Sequence, residues 1–183
     1  MKYCSDCGAP VEFRIPPDET LPRHVCPQCN AIHYLNPKLV IGCVAEHQGR
    51  ILLCRRAIEP RSGLWTLPAG FMENGESTAQ AAARETAEEA CAAVAIDALF
   101  ALVSMPHIDQ VHLFYRARLP EPVHSPGPES LETMLLAEED IPWQAMAFRS
   151  VTFCLRHYFA DRQAGHFGLH ETIMGPPPVR PQD

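Results

Sequence analysis

Two groups of residues in this 183-residue chain have the types and spacing that chemistry requires. The first is a set of thiols, Cys4-Ser5-Asp6-Cys7 and, after 18 intervening residues, Cys26-Pro27-Gln28-Cys29. Two Cys-x-x-Cys pairs at this separation set four sulfurs around one ion, and the borderline-soft, redox-inert choice for four thiolates is Zn²⁺. A closed four-sulfur site has no open position for substrate, so Cys4, Cys7, Cys26 and Cys29 are expected to be structural. The surrounding residues hold little core, and the metal would supply their folding energy. The second group is Gly70-Phe71-Met72-Glu73-Asn74-Gly75-Glu76, then seven residues, then Arg84-Glu85-Thr86-Ala87-Glu88-Glu89. On a helix, Glu85, Glu88 and Glu89 fall within roughly 100° of one another. Like charges on one stripe repel; a divalent cation that takes oxygen ligands, Mg²⁺ or Mn²⁺, removes that penalty. The competing reading is a solvated acidic helix face. Arg84 and Glu76 can pair to tie the loop to the helix, and the Pro68-Ala69-Gly70 corner can bring backbone carbonyls to the same place.

These carboxylates need regular structure to hold them. The chain has 18 prolines, but none from Ala69 to Met105, so this window is free of the residue that breaks helix interiors and central strands. Ser77 to Cys91 reads as a helix: Ser77 and Gln80 form a capping box, and Ala79, Ala81, Ala82, Ala83, Ala87 and Ala90 give high helix propensity with small side chains that allow close packing on a sheet. Leu39–Ala45 and Ile51–Cys54 read as strands joined by a turn at His47-Gln48-Gly49-Arg50. Leu64–Leu67 is a short extended piece; Ala93–Ser104, His112–Leu119 and Leu131–Leu136 are further strands. Ser150 to Asp161 is a second helix with an apolar face. The pattern predicts an α+β fold, a mixed sheet covered by helices, behind a small ribbon. The expected divisions are residues 1–36, 37–165 and a loose, Pro-rich tail at 166–183, ending in the proline-dense Gly175–Asp183. Cys43, Cys54, Cys91 and Cys154 stand among apolar neighbours and read as small core residues.

The formal charge is −7, all of it after residue 40, which argues against non-specific nucleic-acid binding through Lys and Arg. No apolar run approaches the roughly 18 residues of a membrane span. The opening Met1-Lys2-Tyr3-Cys4 leaves no room for a signal or transit peptide, so a cytoplasmic protein without a disulfide framework is expected.

In register, Gly70, Glu76, Arg84, Glu85, Glu88 and Glu89 resemble the Nudix hydrolase signature Gly-x5-Glu-x7-Arg-Glu-x-x-Glu-Glu, and Gly63-Leu64-Trp65-Thr66-Leu67-Pro68-Ala69-Gly70 is similar to that family's approach to it. The family usually ends this box with Gly and an aliphatic residue, where this chain has Cys91 and Ala92. The four-cysteine ribbon followed by Tyr34-x-Asn36-Pro37-Lys38 is similar to the zinc-ribbon branch. Ser125-Pro126-Gly127-Pro128-Glu129-Ser130-Leu131-Glu132 and Ile141-Pro142 resemble the branch of flavin adenine dinucleotide (FAD) and ADP-ribose pyrophosphatases.

The resemblance implies an α/β/α sandwich and metal-dependent hydrolysis of a nucleoside diphosphate linked to another group. FAD or ADP-ribose leads, giving AMP and a second monophosphate. NADH is the rival substrate, and a non-catalytic nucleotide-binding regulator is the reading from another class. It implies Glu85, Glu88, Glu89 and the Ala69 carbonyl as ligands of Mg²⁺ or Mn²⁺. Gly70, Glu76 and Arg84 would hold the geometry, and Glu85, Glu129 or Glu132 would be the base. Arg55 and Arg56, at a strand end, suit phosphate contacts, and Trp65 suits stacking on a substrate ring, against a plain corner role. His107 and His112 have no assigned part. The expected partner is a small dinucleotide. A homodimer fits the family's habit, whereas nucleic-acid processing would need a basic stripe absent from the composition.

Overall fold

The computed structural model describes residues 1–177, and the chain divides after Pro37 into two units. In the first, two chain turns repeat one pattern. Cys4 N–H bonds Ala9 O as Cys26 N–H bonds Ala31 O, and Gly8 N–H returns to Cys4 O as Asn30 N–H returns to Cys26 O. Gly8 and Asn30 both take positive φ (75° and 62°), the conformation that glycine and asparagine adopt most readily. Around them β1 (Glu12–Arg14), β2 (Arg23–Val25) and β3 (Ile32–His33) form an antiparallel sheet in that order.

The second unit begins with β4 (Lys38–His47) and β5 (Arg50–Arg56). Gln48 and Gly49 join them with φ of 47° and 82°, a two-residue turn whose twist suits paired strands. There follow β6 (Trp65–Thr66), β7 (Ala69–Phe71), α1 (Thr78–Ala90), β8 (Ala95–Met105), β9 (Gln110–Arg118), β10 (Ser130–Leu136), α2 (Arg149–Ala164) and β11 (His170–Ile173). The sheet order is β10-β5-β4-β9-β8-β11, with β6 added to β5 and β7 to β4. The pairs β4–β9 and β8–β11 are parallel and the rest antiparallel, so the sheet is mixed, as expected.

Successive residues of β5 feed opposite cores. Ile51 and Leu53 join Val44, Phe100 and Phe114 under α2 through Val151, Leu155 and Phe159. Leu52 and Cys54 join Ile41, Cys43 and Ala45 under α1 through Ala81, Ala82 and Ala90. A strand buried on both faces reads as an unbroken apolar run, and two helices on opposite faces make the α/β/α sandwich. Near the hairpin β4 pairs with β5 at Glu46 and His47; farther along, β7 takes the β4 edge at Val40, Ile41 and Gly42. Gly42 permits this, because a Cβ there would lie 2.5 Å from both Ala69 Cβ and Pro68 O.

Two expectations are corrected. Cys43, Cys54 and Cys154 are buried, but Cys91 is exposed, because it caps α1 with its backbone turned left-handed. The segment after residue 165 is not uniformly loose. β11 pairs in parallel with Ala101–Ser104 of β8, Met174 N–H reaches Ser104 O, and His170 pairs with Asp161 of α2 at 2.8 Å. The rest of the expected tail, residues 178–183, lies outside the described residues. Among the described residues, no helix is long and apolar enough to cross a membrane.

The predicted capping box is present: Ser77 Oγ accepts from Gln80 N–H at 3.3 Å, and Gln80 Oε1 accepts from Ser77 N–H at 2.8 Å. Ser77→Ala is expected to lower stability by about 1 kcal/mol, and Ser77→Gly by only a few tenths. Urea unfolding measures both; no loss in Ser77→Ala would mean that the hydroxyl does not cap α1.

Candidate active site

The capped first turn starts α1 so that its last two turns face β7. Glu85 and Glu89, one turn apart, are only 8% and 6% exposed, whereas Glu88 is exposed. Gly70 is required opposite them, since a Cβ there would lie 2.3 Å from Glu85 Oε2. Glu89 Oε2 accepts from Ala69 N–H at 3.0 Å. In an antiparallel ladder the N–H and C=O of one residue point the same way, so the Ala69 carbonyl faces the helix too.

Arg84 organises the cluster with all five of its N–H donors. Nε and Nη2 grip the two oxygens of Glu76 at 3.0 and 2.8 Å, and Nη2 also reaches Phe71 O at 3.1 Å. Nη1 donates to Glu85 Oε1 at 2.8 Å and Glu88 Oε2 at 2.9 Å. The guanidinium holds the Glu76 carboxyl down at about 2. Glu85 goes the other way, raised by burial despite Arg84. Burial also lifts Glu89, to about 7, with the charges of Glu85 and Glu129 adding to it.

A loop carboxylate is brought to the same place by the end of α1. The last carbonyls of a helix lack partners within it. Here Ala90 O accepts from Ser125 N–H and Glu89 O from Gly127 N–H, at 2.9 and 3.0 Å. Gly127 lies so close that a Cβ would meet Glu88 O at 1.7 Å. Ala57 N–H then bonds Glu129 O at 2.8 Å. The helix ends at Cys91 with φ 47° and ψ 34°, so the chain takes the left-handed turn even with Cys where the signature has glycine.

Glu85, Glu88, Glu89, Arg84, Glu129 and Arg56 line one end of a cleft of about 780 Å³. Arg56 Nε donates to Pro60 O, and its guanidinium lies 5.1 Å from the Phe148 ring. Arg55, Glu132 and Trp65, expected at the site, lie outside the lining. Neighbouring residues of a strand point to opposite faces, so Arg55 turns away from Arg56. It pairs with Glu132, its cross-strand partner in β10, at 3.7 Å. Trp65 packs against the α2-side core, and its carbonyl accepts from Ala147 N–H. His107 is exposed in a short turn at Pro106–Ile108. His112 is buried in the cleft floor, which the sequence reading missed; the alternation Gln110, His112, Phe114 was its only local signal.

The oxygen-only donor set of Glu85, Glu88, Glu89 and the Ala69 carbonyl, with two carboxyls raised by burial, fits a divalent cation. In the first unit the sulfurs of Cys4, Cys7, Cys26 and Cys29 lie within 4.8 Å of one another and fit one metal ion. Backbone N–H groups of Asp6 and Cys29 point at Cys4 Sγ and Cys26 Sγ at 3.4 and 3.5 Å. His33 Nε2 lies 3.2 Å from Cys4 Sγ.

Residues 2–35 match the family model described as Nudix N-terminal, and residues 36–152 match that of the NUDIX domain. A solved NUDIX hydrolase structure from Nitrosomonas europaea is 50% identical, with a TM-score of 0.90 over 95% of this chain and 100% of that one. The ADP-ribose pyrophosphatase of Methanocaldococcus jannaschii is 34% identical over 76 residues, 42% of this chain and 45% of that protein. The NAD-capped RNA hydrolase NudC of Salmonella heidelberg is 30% identical over 139 residues, 76% of this chain and 44% of that protein. The chain thus spans under half the length of these curated relatives.

The raised Glu89 makes a pH prediction. Its carboxyl is held at about 7 in the fold, against 4.5 ordinarily. Its contribution to stability is therefore full below about 4.5 and lost as pH rises through about 7. With no divalent cation added, Glu89→Gln should lose less thermal stability than wild type between pH 5 and pH 8. Added Mn²⁺ should raise the wild-type Tm more at pH 8 than at pH 5. Identical pH profiles for the two proteins would contradict the reading.

Proposed function

The chain belongs to the Nudix hydrolase family, and on that premise we propose that it hydrolyses the pyrophosphate bond of a nucleoside diphosphate linked to a second group. FAD and ADP-ribose lead, with AMP and another monophosphate as products. One observation carries the proposal: Glu85 and Glu89, buried under the Ala69–Gly70 strand, share a cleft with Glu88, Glu129 and Arg56.

In this reading Glu85, Glu88, Glu89 and the Ala69 carbonyl hold Mg²⁺ or Mn²⁺. When bound, the cation neutralises charge on the phosphoryl oxygens and lowers the pKa of water. Arg56, which lines the same cleft, donates to a phosphate oxygen. Glu129, set in place by the contacts of Gly127 and Ala57, takes the proton of the attacking water, with Glu85 as the alternative base. Arg84 stays bound to Glu76 and keeps the helix and loop in register. Zn²⁺ held by Cys4, Cys7, Cys26 and Cys29 is structural, and the enzyme works on small dinucleotides in the cytoplasm.

The relative named ADP-ribose pyrophosphatase supports the ADP-ribose reading. FAD rests on the resemblance of Ser125–Glu132. The relative named as an NAD-capped RNA hydrolase matches over 139 residues, a longer stretch, and favours a second reading in which the substrate is an NAD-type pyrophosphate, NADH included. The formal charge of −7 weighs against extensive contact with an RNA body. A non-catalytic regulator has no use for a buried carboxylate pair.

Incubation of the full chain with Mg²⁺ or Mn²⁺ and a panel of FAD, ADP-ribose, NADH and NAD⁺, with AMP read by chromatography, tests the proposal. At least one should release AMP. Glu89→Gln should lower the rate by about 100-fold or more, while Glu139→Gln, an exposed carboxylate outside the cleft, should leave it near wild type. Binding without cleavage across the panel would favour the regulator.

A further inference from the structure

Away from the carboxylates, the cleft floor carries a second polar group that the hydrolytic reading does not use. β9 turns Gln110, His112 and Phe114 to the same face. His112 is 7% exposed, and both of its ring nitrogens are engaged. Nδ1 lies 3.0 Å from Ser150 Oγ in the first turn of α2, and Nε2 lies 3.0 Å from Gln110 Oε1. A carboxamide oxygen only accepts, so Nε2 carries the proton and Nδ1 accepts from the serine hydroxyl. Burial keeps the ring neutral, lowering its pKa to about 4. The relay occupies the Gln110 oxygen and leaves the amide nitrogen with no partner among the described residues.

The register gives how far along the strands Gln110 lies from Ala69. Gly42 of β4 lies between Ala69 and Phe114, Val40 lies between Phe71 and His112, and Lys38 lies opposite Gln110. From Phe114, level with Ala69, to Gln110 is four residues, or about 13 Å of strand. The lining between them is mainly apolar, with Val40, Phe71, Phe114, Phe148 and Val151, and the Lys38 ammonium stands 5.1 Å from the Phe71 ring centroid. An apolar slot ending in two N–H donors suits the edge of a flat heterocycle carrying a ring nitrogen or carbonyl acceptor. Adenine has such acceptors at N3 and N7.

We propose that Gln110, locked by His112 and Ser150, is a specificity-determining residue that donates to the base of the substrate's nucleoside while the α1 carboxylates serve the diphosphate at the other end. This deepens the pyrophosphatase reading and rests on it. Neutral ring, fixed tautomer and oriented amide form one device: Ser150 sets His112, and His112 sets Gln110.

The test compares binding of AMP with that of ribose 5-phosphate, which lacks the base, by calorimetry without turnover. Wild type should prefer AMP. Gln110→Leu and the near-isosteric Gln110→Glu should each lose about 5- to 10-fold of that preference, the worth of a neutral hydrogen bond, while ribose 5-phosphate binds as in wild type. Ser150→Ala should lose a smaller share. For a cleaved dinucleotide, the Gln110 variants should raise KM more than they lower kcat. No preference for AMP in wild type, or the same preference in both folded Gln110 variants, overturns the proposal; so does an equal loss for the two ligands. If wild type cleaves no dinucleotide, the hydrolytic reading fails instead, and the calorimetric comparison still decides whether Gln110 reads a base.

Discussion

Glu85 and Glu89 stand one helical turn apart, buried under a strand, in an arrangement that repels itself and loses hydration. Much of the surrounding structure serves to maintain it. Gly70 removes the Cβ that would strike Glu85, and Gly42 removes the one that would keep β7 off β4. The alanines of α1 let the helix approach the sheet closely enough for Glu89 to meet Ala69 N–H. Arg84 spends every donor on the loop and the helix, partly offsetting the charge of Glu85 and Glu88 and fixing Glu76. Its single positive charge faces three carboxylates, and an oxygen-seeking cation is the group that would complete the balance.

The sheet assigns different work to its two faces and two edges. α1 covers one face with small residues, and α2 covers the other with large ones. Where β4 leaves β5 and takes β7 instead, a cleft opens that reaches from the carboxylates to Gln110. The loop before β10 closes one side because Gly127 lies directly on the last turn of α1. The ribbon follows a separate logic. Two equivalent turns bring its four sulfurs within reach of one metal ion.

Local features were legible in the sequence. The capping box of Ser77 and Gln80 lies within four residues, and the carboxylate stripe follows from helical spacing alone. The four sulfurs were readable from two short motifs. What depended on register was not legible. Arg55 and Arg56 look equivalent as sequence, and only the pairing of Arg55 with Glu132 across β10 decides which one meets the cleft. β11 was not legible because its four residues, alternately half-buried and exposed, form too short a run to show a pattern until β8 is beside them. His112 drew no role because its partner Ser150 stands 38 residues away on another element. Cys91 looked apolar from its neighbours, yet its place at the helix end turns it outward.

The most direct test of the account is a titration of Mn²⁺ into the zinc-loaded protein, with free Mn²⁺ followed by electron paramagnetic resonance. Binding should be saturable and should weaken sharply in a Glu85→Gln, Glu89→Gln double variant whose fold is intact by circular dichroism. Equal Mn²⁺ binding in wild type and the double variant would contradict the claim that this buried carboxylate pair is the cation site.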